Sequence, residues 1–462
     1  MVTISPDRQA AQAAAAASTA LLTDHYELTM LQASLRSGAA HRRSVFEVFA
    51  RKLPDGRRYG VVAGTGRLLD AIAAFSFGDE QLAFLERTGV VDRATIDWLA
   101  QYRFRGAVRG YAEGETYFPH SPILEVEATF AEGVLLETLI LSVLNHDSAI
   151  ASAASRMTSA AAGRPCIEMG SRRTHEQAAV ASARAAYLAG FASTSNLEAG
   201  YRYGVPTVGT SAHAFTLVHD TERDAFQAQL AALGKGTTLL VDTFDVAEAV
   251  RVAVEVAGAD LGAVRLDSGD LLWMAHRVRR QLDQLGARDT KIVVTSDLDE
   301  YAIAALASAP VDAYGVGTQL VTGSGAPTAA MVYKLVARAA SPGPDAPLVP
   351  VEKRSPDKPS RGGRKQACRR IDADGVATAE MIRIGAQPAD PDSRRRDLIA
   401  PLMTNGEPVR RATLEEGREL HRRSLAELPI SATQLSRGDA VIPTVYEYGD
   451  ELEHEARDGW AR

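Results

Sequence analysis

The chain has 462 residues, 46% hydrophobic and 24% charged, a balance that excludes wholesale disorder and suits about two to four domains or one large barrel with appendages. Its formal net charge of −7 argues against a broad nucleic-acid or anionic-membrane surface, so an anionic ligand needs local cations or backbone N–H groups. Two cysteines, Cys166 and Cys368, are too few for a disulfide framework or a four-cysteine zinc site, which points to a reducing cytoplasm.

In chain order, the alanine run Ala13 to Ala17 follows Asp7 and Arg8 and lacks bulky apolar residues, so residues 1–20 read as a flexible tail rather than a leader. No apolar run reaches the roughly 18 residues of a membrane span. Asp24 to Leu35 has helical spacing, and Ser44 to Arg51 (SVFEVFAR) alternates like a strand. Gly64-Thr65-Gly66 precedes the helical LLDAIAAF, and Thr95 to Tyr102 is a further short helix. Residues 21–120 are therefore expected to form an N-terminal α+β domain, and a long buried helix is expected from Leu135 to Ala154.

Beyond that helix, β-like runs alternate with helical ones. CIEM from Cys166, VPTVGT, TTLLVDTF, GAVRL, KIVVTS and VDAYGV are separated by segments such as EQAAVASARAAYLAG and AEAVRVAVEVA. Such alternation implies a parallel sheet, and so many units favour an irregular TIM-like β/α barrel over residues 121–340. Residues 341–462 open on a turn-rich stretch, and between Glu352 and Arg370 eight Lys or Arg stand against two acids. EMIRIG reads as a strand and Leu414 to Glu427 as a helix. This C-terminal segment is short of apolar residues and is expected to pack back on the first domain. Its basic stretch has no aromatic residue to stack a base, so a solvated or ligand-contacting loop is expected rather than an RNA-binding arm.

In a β/α barrel, catalytic groups gather where the strands end. The expected strands run into Gly170 to Arg173, Ser193 to Asn196, Gly209 to His213, Asp242 to Asp245, Arg265 to Asp270, Thr295 to Asp297 and Gly315 to Gln319. The Gly315-x-Gly317-Thr318 turn either offers N–H groups and a hydroxyl to a phosphate or is purely conformational. Asp267 and Asp270 suit ribose hydroxyls or a Mg²⁺ ion carried by a diphosphate, and Asp270 equally suits a helix cap. Arg172 and Arg265 suit a carboxylate or phosphate, or else an internal ion-pair network with Asp242 and Asp267. His213 is placed as a general base or nucleophile, with a structural role the alternative. No His-x-His or His-Glu-x-x-His pair suggests a resident metal.

The segments TDHYELTM (from Thr23), FEVFARKLP, GSRRTHEQA, GTSAHAF, VDTFD, VRLDSGDL, TSDLDE, YGVGTQLVT and VYKLV, in this order, resemble the nicotinate phosphoribosyltransferase family, one of the type II phosphoribosyltransferases. The resemblance runs from about Leu21 to Gly385 and continues only loosely through GGRKQACR. It implies joining of nicotinate to 5-phosphoribosyl-1-diphosphate, with release of diphosphate, coupled hydrolysis of ATP, and a place in NAD biosynthesis. It also implies a cytoplasmic homodimer with shared active sites and Mg²⁺ arriving on the diphosphate.

Residue by residue, the resemblance makes His213 the phosphorylated histidine and a catalytic group with Asp267 and Arg265. Tyr26 would stack on the pyridine ring across the dimer interface, while Arg172, Arg265 and Thr210 line the base pocket. Asp267 would hold the ribose hydroxyls, and Ser296, Asp297, Gly315, Gly317 and Thr318 would surround the ribose and its 5-phosphate. Lys334 and Lys52 are further phosphate contacts it suggests. The nicotinamide-using relatives carry an aspartate where this chain has Ser195, and a hydroxyl there favours the acid over the amide. The alternatives are a nicotinamide phosphoribosyltransferase and a non-catalytic binding protein that has kept the barrel.

Overall fold

The computed structural model describes residues 18–343, 346–353, 360–385 and 394–448. The alanine run at 13–17 and residues 354–359 of the basic stretch lie outside them. The chain forms two compact units, one from residues 1–148, 328–432 and 437–462, the other from 149–327 and 433–436.

The first unit is built on a seven-stranded sheet in which Arg43–Ala50 lies between Met331–Ala339 and Leu124–Thr129, antiparallel to both. Seven of the eight residues of Arg43–Ala50 are buried, so both faces are covered and the alternation in SVFEVFAR does not mark a solvent face. Glu47, the acid inside that run, is buried and accepts from Lys365 Nζ at 2.6 Å. The Phe46 ring stacks on Tyr333 at 4.9 Å between centroids, within a continuous apolar core.

A four-stranded sheet in the same unit contains Arg395–Asp397, Lys365–Ile371, Ala377–Ile384 and Thr444–Tyr448. The basic stretch is therefore not a solvated loop over its second half. Lys365 and Arg369 are buried, and Arg369 pairs with Glu115 at 3.0 Å and Glu380 at 2.9 Å. Their charges are counter-ions to buried acids, which a count of lysines and arginines along the string cannot distinguish from a solvated run.

The second unit carries a six-stranded parallel sheet in the order Ser193–Thr194, Cys166–Glu168, Ala313–Val316, Lys291–Ser296, Ala263–Leu266 and Thr238–Leu240. Its ladder stops at Thr238–Leu240 on one side. On the other it gains a single bridge from Thr194 to Thr207. The expected closed barrel is thus present as a mixed α/β fold around an open parallel sheet. VPTVGT forms no strand: Pro206 has no N–H for a ladder, and most of the run is exposed.

Several of the helices that follow the strands begin on polar caps. Asn196 accepts from Ala199 N, Asp245 from Glu248 N, Asp270 from Trp273 N and Asp299 from Ala302 N. Each cap satisfies a backbone donor left open by helix geometry and is worth about 1 kcal/mol. The longest helix, Glu137–Ala161, outruns the expected Leu135 to Ala154 and gives way to Ala162 and Gly163, both at positive φ.

Candidate active site

Strand Ala263–Leu266 delivers Arg265 and Asp267 to one spot in the second unit. Arg265 Nη1 donates to Thr210 Oγ1 at 2.6 Å and to the Ser211 carbonyl at 3.1 Å, and Nη2 lies 3.6 Å from Asp267 Oδ2. The Thr295 hydroxyl donates to Asp267 Oδ1. The Asp267 backbone N–H donates to Asp242 Oδ2 at 2.9 Å, as does the Ser268 hydroxyl.

His213 opens the short helix His213–Leu217. Its Nδ1 shares a hydrogen bond of 3.1 Å with Thr243 Oγ1, and its Nε2 lies 3.8 Å from Asp267 Oδ2. The structure thus brings His213, Arg265, Thr210 and Asp267 together. It adds Asp242, Thr243 and Thr295, which stand at expected strand ends but to which the sequence reading assigns no ligand contact. Two polar atoms of this group are buried without a hydrogen-bond partner, Asp242 Oδ1 and Arg265 Nε. Such orphans are costly in a finished core and are what a ligand would satisfy.

Arg172 stands exposed in the turn Ser171–Arg173, and Ser195 is exposed just past the strand Ser193–Thr194. Ser296 ends its strand exposed with φ 154°, a strained value for a residue with a side chain, and Asp297 follows it, also exposed. Gly317 precedes Thr318 with φ −117° and ψ −100°, and both are half-buried.

Gly315 lies inside its strand, paired in register with Thr295 and Ile167. A Cβ there would fall 2.4 Å from Thr295 Cγ2 and 2.8 Å from Met169 Sδ. Packing against Thr295 and Met169 therefore leaves no room for a side chain at this position. Asp270 is the cap of Leu271–Gln284, the alternative its position also offered.

Tyr26 belongs to the first unit, on the exposed side of helix His25–Ser37, where burial and then Glu137 push its phenol up to about 12. Lys334 Nζ lies 3.7 Å from the same Glu137, and Lys52 is exposed. The first unit also holds a cationic cluster not anticipated as one. His120, at φ 67°, has its pKa lowered by burial and then by Arg361, Arg51 and Lys365. Among the described residues, no group of three or more His, Cys, Asp or Glu is arranged to hold a metal, and no helix is long and apolar enough to cross a membrane.

Comparison with known proteins gives a consistent answer. The model of the nicotinate phosphoribosyltransferase N-terminal domain matches residues 21–145, and that of the nicotinate phosphoribosyltransferase family matches residues 165–343. The chain is 57% identical over 432 residues to nicotinate phosphoribosyltransferase pncB1 of Mycobacterium tuberculosis, covering 92% of this chain and 94% of that protein. It is 36% identical over 365 residues to the nicotinate phosphoribosyltransferase of Bacillus subtilis, covering 77% of this chain and 74% of that protein. Its fold is similar to the crystal structure of human nicotinic acid phosphoribosyltransferase, with a TM-score of 0.80 at 25% identity, over 95% of this chain and all of that one.

Proposed function

Because the chain belongs to the nicotinate phosphoribosyltransferase family, we propose that His213, Asp267 and Arg265 act together in the ATP-coupled joining of nicotinate to 5-phosphoribosyl-1-diphosphate. Nicotinate phosphoribosyltransferase activity sets the chain in NAD biosynthesis. The observation that carries the reading is the meeting of His213, Asp267 and Arg265, with Asp242 Oδ1 and Arg265 Nε left unpartnered beside them.

The pyridine nitrogen attacks the anomeric carbon as the bond to diphosphate breaks, and diphosphate leaves with the electron pair. The ring nitrogen already offers a lone pair, so the site needs alignment and charge compensation rather than a strong base. Positive charge develops on the sugar as in glycoside transfer. Asp267, fixed by Thr295 and by its own N–H, accepts from the ribose hydroxyls. Arg172 and Arg265, with Thr210, face the nicotinate carboxylate, and the Ser195 hydroxyl donates to it where a carboxylate would repel it. Ser296, Asp297, Gly317 and Thr318 take the ribose and its 5-phosphate. Mg²⁺ would come with the donor, and Asp242 Oδ1, buried and without a hydrogen-bond partner, is the hard oxygen that would hold it, with Asp267 beside it. When bound it would offset charge on the leaving diphosphate.

In the ATP half of the cycle, a ring nitrogen of His213 attacks the γ-phosphorus and ADP leaves. Water later cleaves the N–P bond and releases phosphate. The added negative charge beside Asp267 would alter donor affinity between the two states. This coupling would class the enzyme as an ATP-dependent ligase. Tyr26 and the Arg51, His120 and Arg361 cluster are read as donated across a homodimer with shared sites. Exposed apolar side chains after the strands, among them Leu197, Tyr201, Leu217, Val218, Phe244 and Trp273, favour coverage by a second copy. Two buried free thiols suit a cytoplasmic setting.

The test is product analysis with nicotinate, donor and Mg²⁺, with and without ATP, run in parallel with nicotinamide. Nicotinate mononucleotide formed with stoichiometric ATP cleavage supports the reading, and preference for nicotinamide overturns the role given to Ser195.

A further inference from the structure

Glu168 ends the strand Cys166–Glu168 and is fully buried. Among the described residues no cation pairs with it. One carboxylate oxygen accepts from the Gly170 backbone N–H and the other from the Thr194 hydroxyl. Its own carbonyl accepts from Ser195 N at 2.8 Å. A buried acid without a counter-ion is a costly choice, so its geometry calls for a reason.

The two groups it grips begin two different loops. Gly170 leads into the turn that presents Arg172, and Thr194 leads into Ser195. Both arms of the carboxylate are therefore taken by donors from the two walls assigned to the base. A second tie runs parallel to the first, because Asn196 Nδ2 donates to Ser171 Oγ at 2.9 Å. Thr194 Oγ1 in turn accepts from Asn196 N at 2.9 Å, so its proton is directed at Glu168. Gly170 completes the fit: a Cβ there would lie 3.0 Å from Glu168 Oε1 and 2.3 Å from Val321 Cγ1. The backbone can settle on the carboxylate only because residue 170 has no side chain.

The geometry points to Glu168 as a positioning residue for substrate discrimination: its two-armed acceptance from Gly170 and Thr194 sets the spacing of Arg172 and Ser195. The inference rests on the reading that those two residues face the nicotinate carboxylate. A glutamine keeps the shape but puts an NH₂ against one of two donors. The Thr194 hydroxyl can turn to accept it, and its proton then loses its acceptor. A carboxylate satisfies both arms at once.

The experiment compares Glu168→Gln, Glu168→Ala, Thr194→Val and Arg172→Ala in the full chain. The readouts are KM for nicotinate, KM for the donor, kcat, the nicotinate-to-nicotinamide ratio of kcat/KM, and the melting temperature. Glu168→Ala is expected to raise the nicotinate KM about tenfold and to narrow the discrimination ratio, with the donor KM within about twofold. Glu168→Gln and Thr194→Val should each give a partial effect of the same pattern. Their double variant should do little more than either alone, because both break one hydrogen bond.

If Glu168→Ala does not fold, the pair Glu168→Gln and Thr194→Val carries the decision. Equal changes in both KM values, or a loss of melting temperature with an unchanged discrimination ratio, would reduce Glu168 to a structural acid and overturn the inference. Arg172→Ala tests the underlying reading separately. An unchanged nicotinate KM in that variant removes the base-pocket assignment whatever Glu168 does.

Discussion

His213 has a hydroxyl on one ring nitrogen and a carboxylate facing the other, an arrangement that fixes how the imidazole is turned. Replacing it with asparagine keeps a polar side chain but removes the ring nitrogen proposed to attack ATP. His213→Asn is expected to abolish ATP cleavage linked to product and to raise the donor KM by about tenfold or more, while slow ATP-independent synthesis persists. The measurement is the ratio of ADP to nicotinate mononucleotide, and an unchanged ratio would remove His213 from that role. The sequence makes His213, Arg265 and Asp267 legible because each stands at or just past the end of an expected strand. Asp242 is legible only as an ion-pair alternative, and Thr295 and Thr243 not as partners at all, since the bonds that recruit these residues join positions 25, 28 and 30 apart. Glu168 does leave a signal, an acid inside the apolar run CIEM, and its meaning emerges only when Thr194 is beside it.

At the scale of elements, the polar residues after each strand divide into caps and chemistry. The motif VDTFD holds one of each: Asp242 braces Asp267, and Asp245 caps Val246–Ala257. Asp245→Ala should therefore cost about 1 kcal/mol of stability and leave kcat/KM nearly unchanged. Asp242→Asn should melt close to the parent and lose activity, because Asp267 loses a brace and a candidate oxygen ligand. Kinetics and melting on the two variants separate the roles, and equal losses of activity would merge them.

A second element contact is pH-sensitive. Glu27, on helix His25–Ser37, accepts from Thr138 N at 2.9 Å and Thr138 Oγ1 at 2.7 Å, and burial pushes its carboxyl up to about 7. A folded value above the unfolded one means the native state binds the extra proton. This contribution is full below the unfolded value of 4.5 and is lost as pH rises through about 7. Glu27→Gln should flatten the melting profile between pH 5 and about 8, and a parent profile that rises across that window from this group would contradict the sign.

For the whole molecule, the second of the two family matches ends at residue 343, yet the first unit is not complete there. Glu115 is buried, and burial alone would raise its carboxyl, but Arg369 and Arg396 outweigh that and hold it below the usual range. Glu47 pairs with Lys365 at 2.6 Å, although there burial outweighs the cation and pushes the carboxyl up to about 7. These cations lie some 250 to 320 positions beyond their acids, at separations of 254, 281 and 318 residues. Sequence-local reasoning could not pair them, and a chain in synthesis cannot either until its last quarter emerges. Breaking one partner of a buried pair costs about 3–5 kcal/mol, so Arg369→Ala should lower the urea midpoint sharply although Arg369 is outside the cluster around His213. A fragment ending at residue 343 loses Lys365, Arg369 and Arg396 together, leaving Glu47 and Glu115 without counter-ions. It should be insoluble or rapidly cleaved in limited proteolysis where the full chain resists. A soluble, protease-resistant fragment 1–343 would mean that these buried charges are dispensable. The C-terminal segment would then be an accessory to the first unit rather than part of its core.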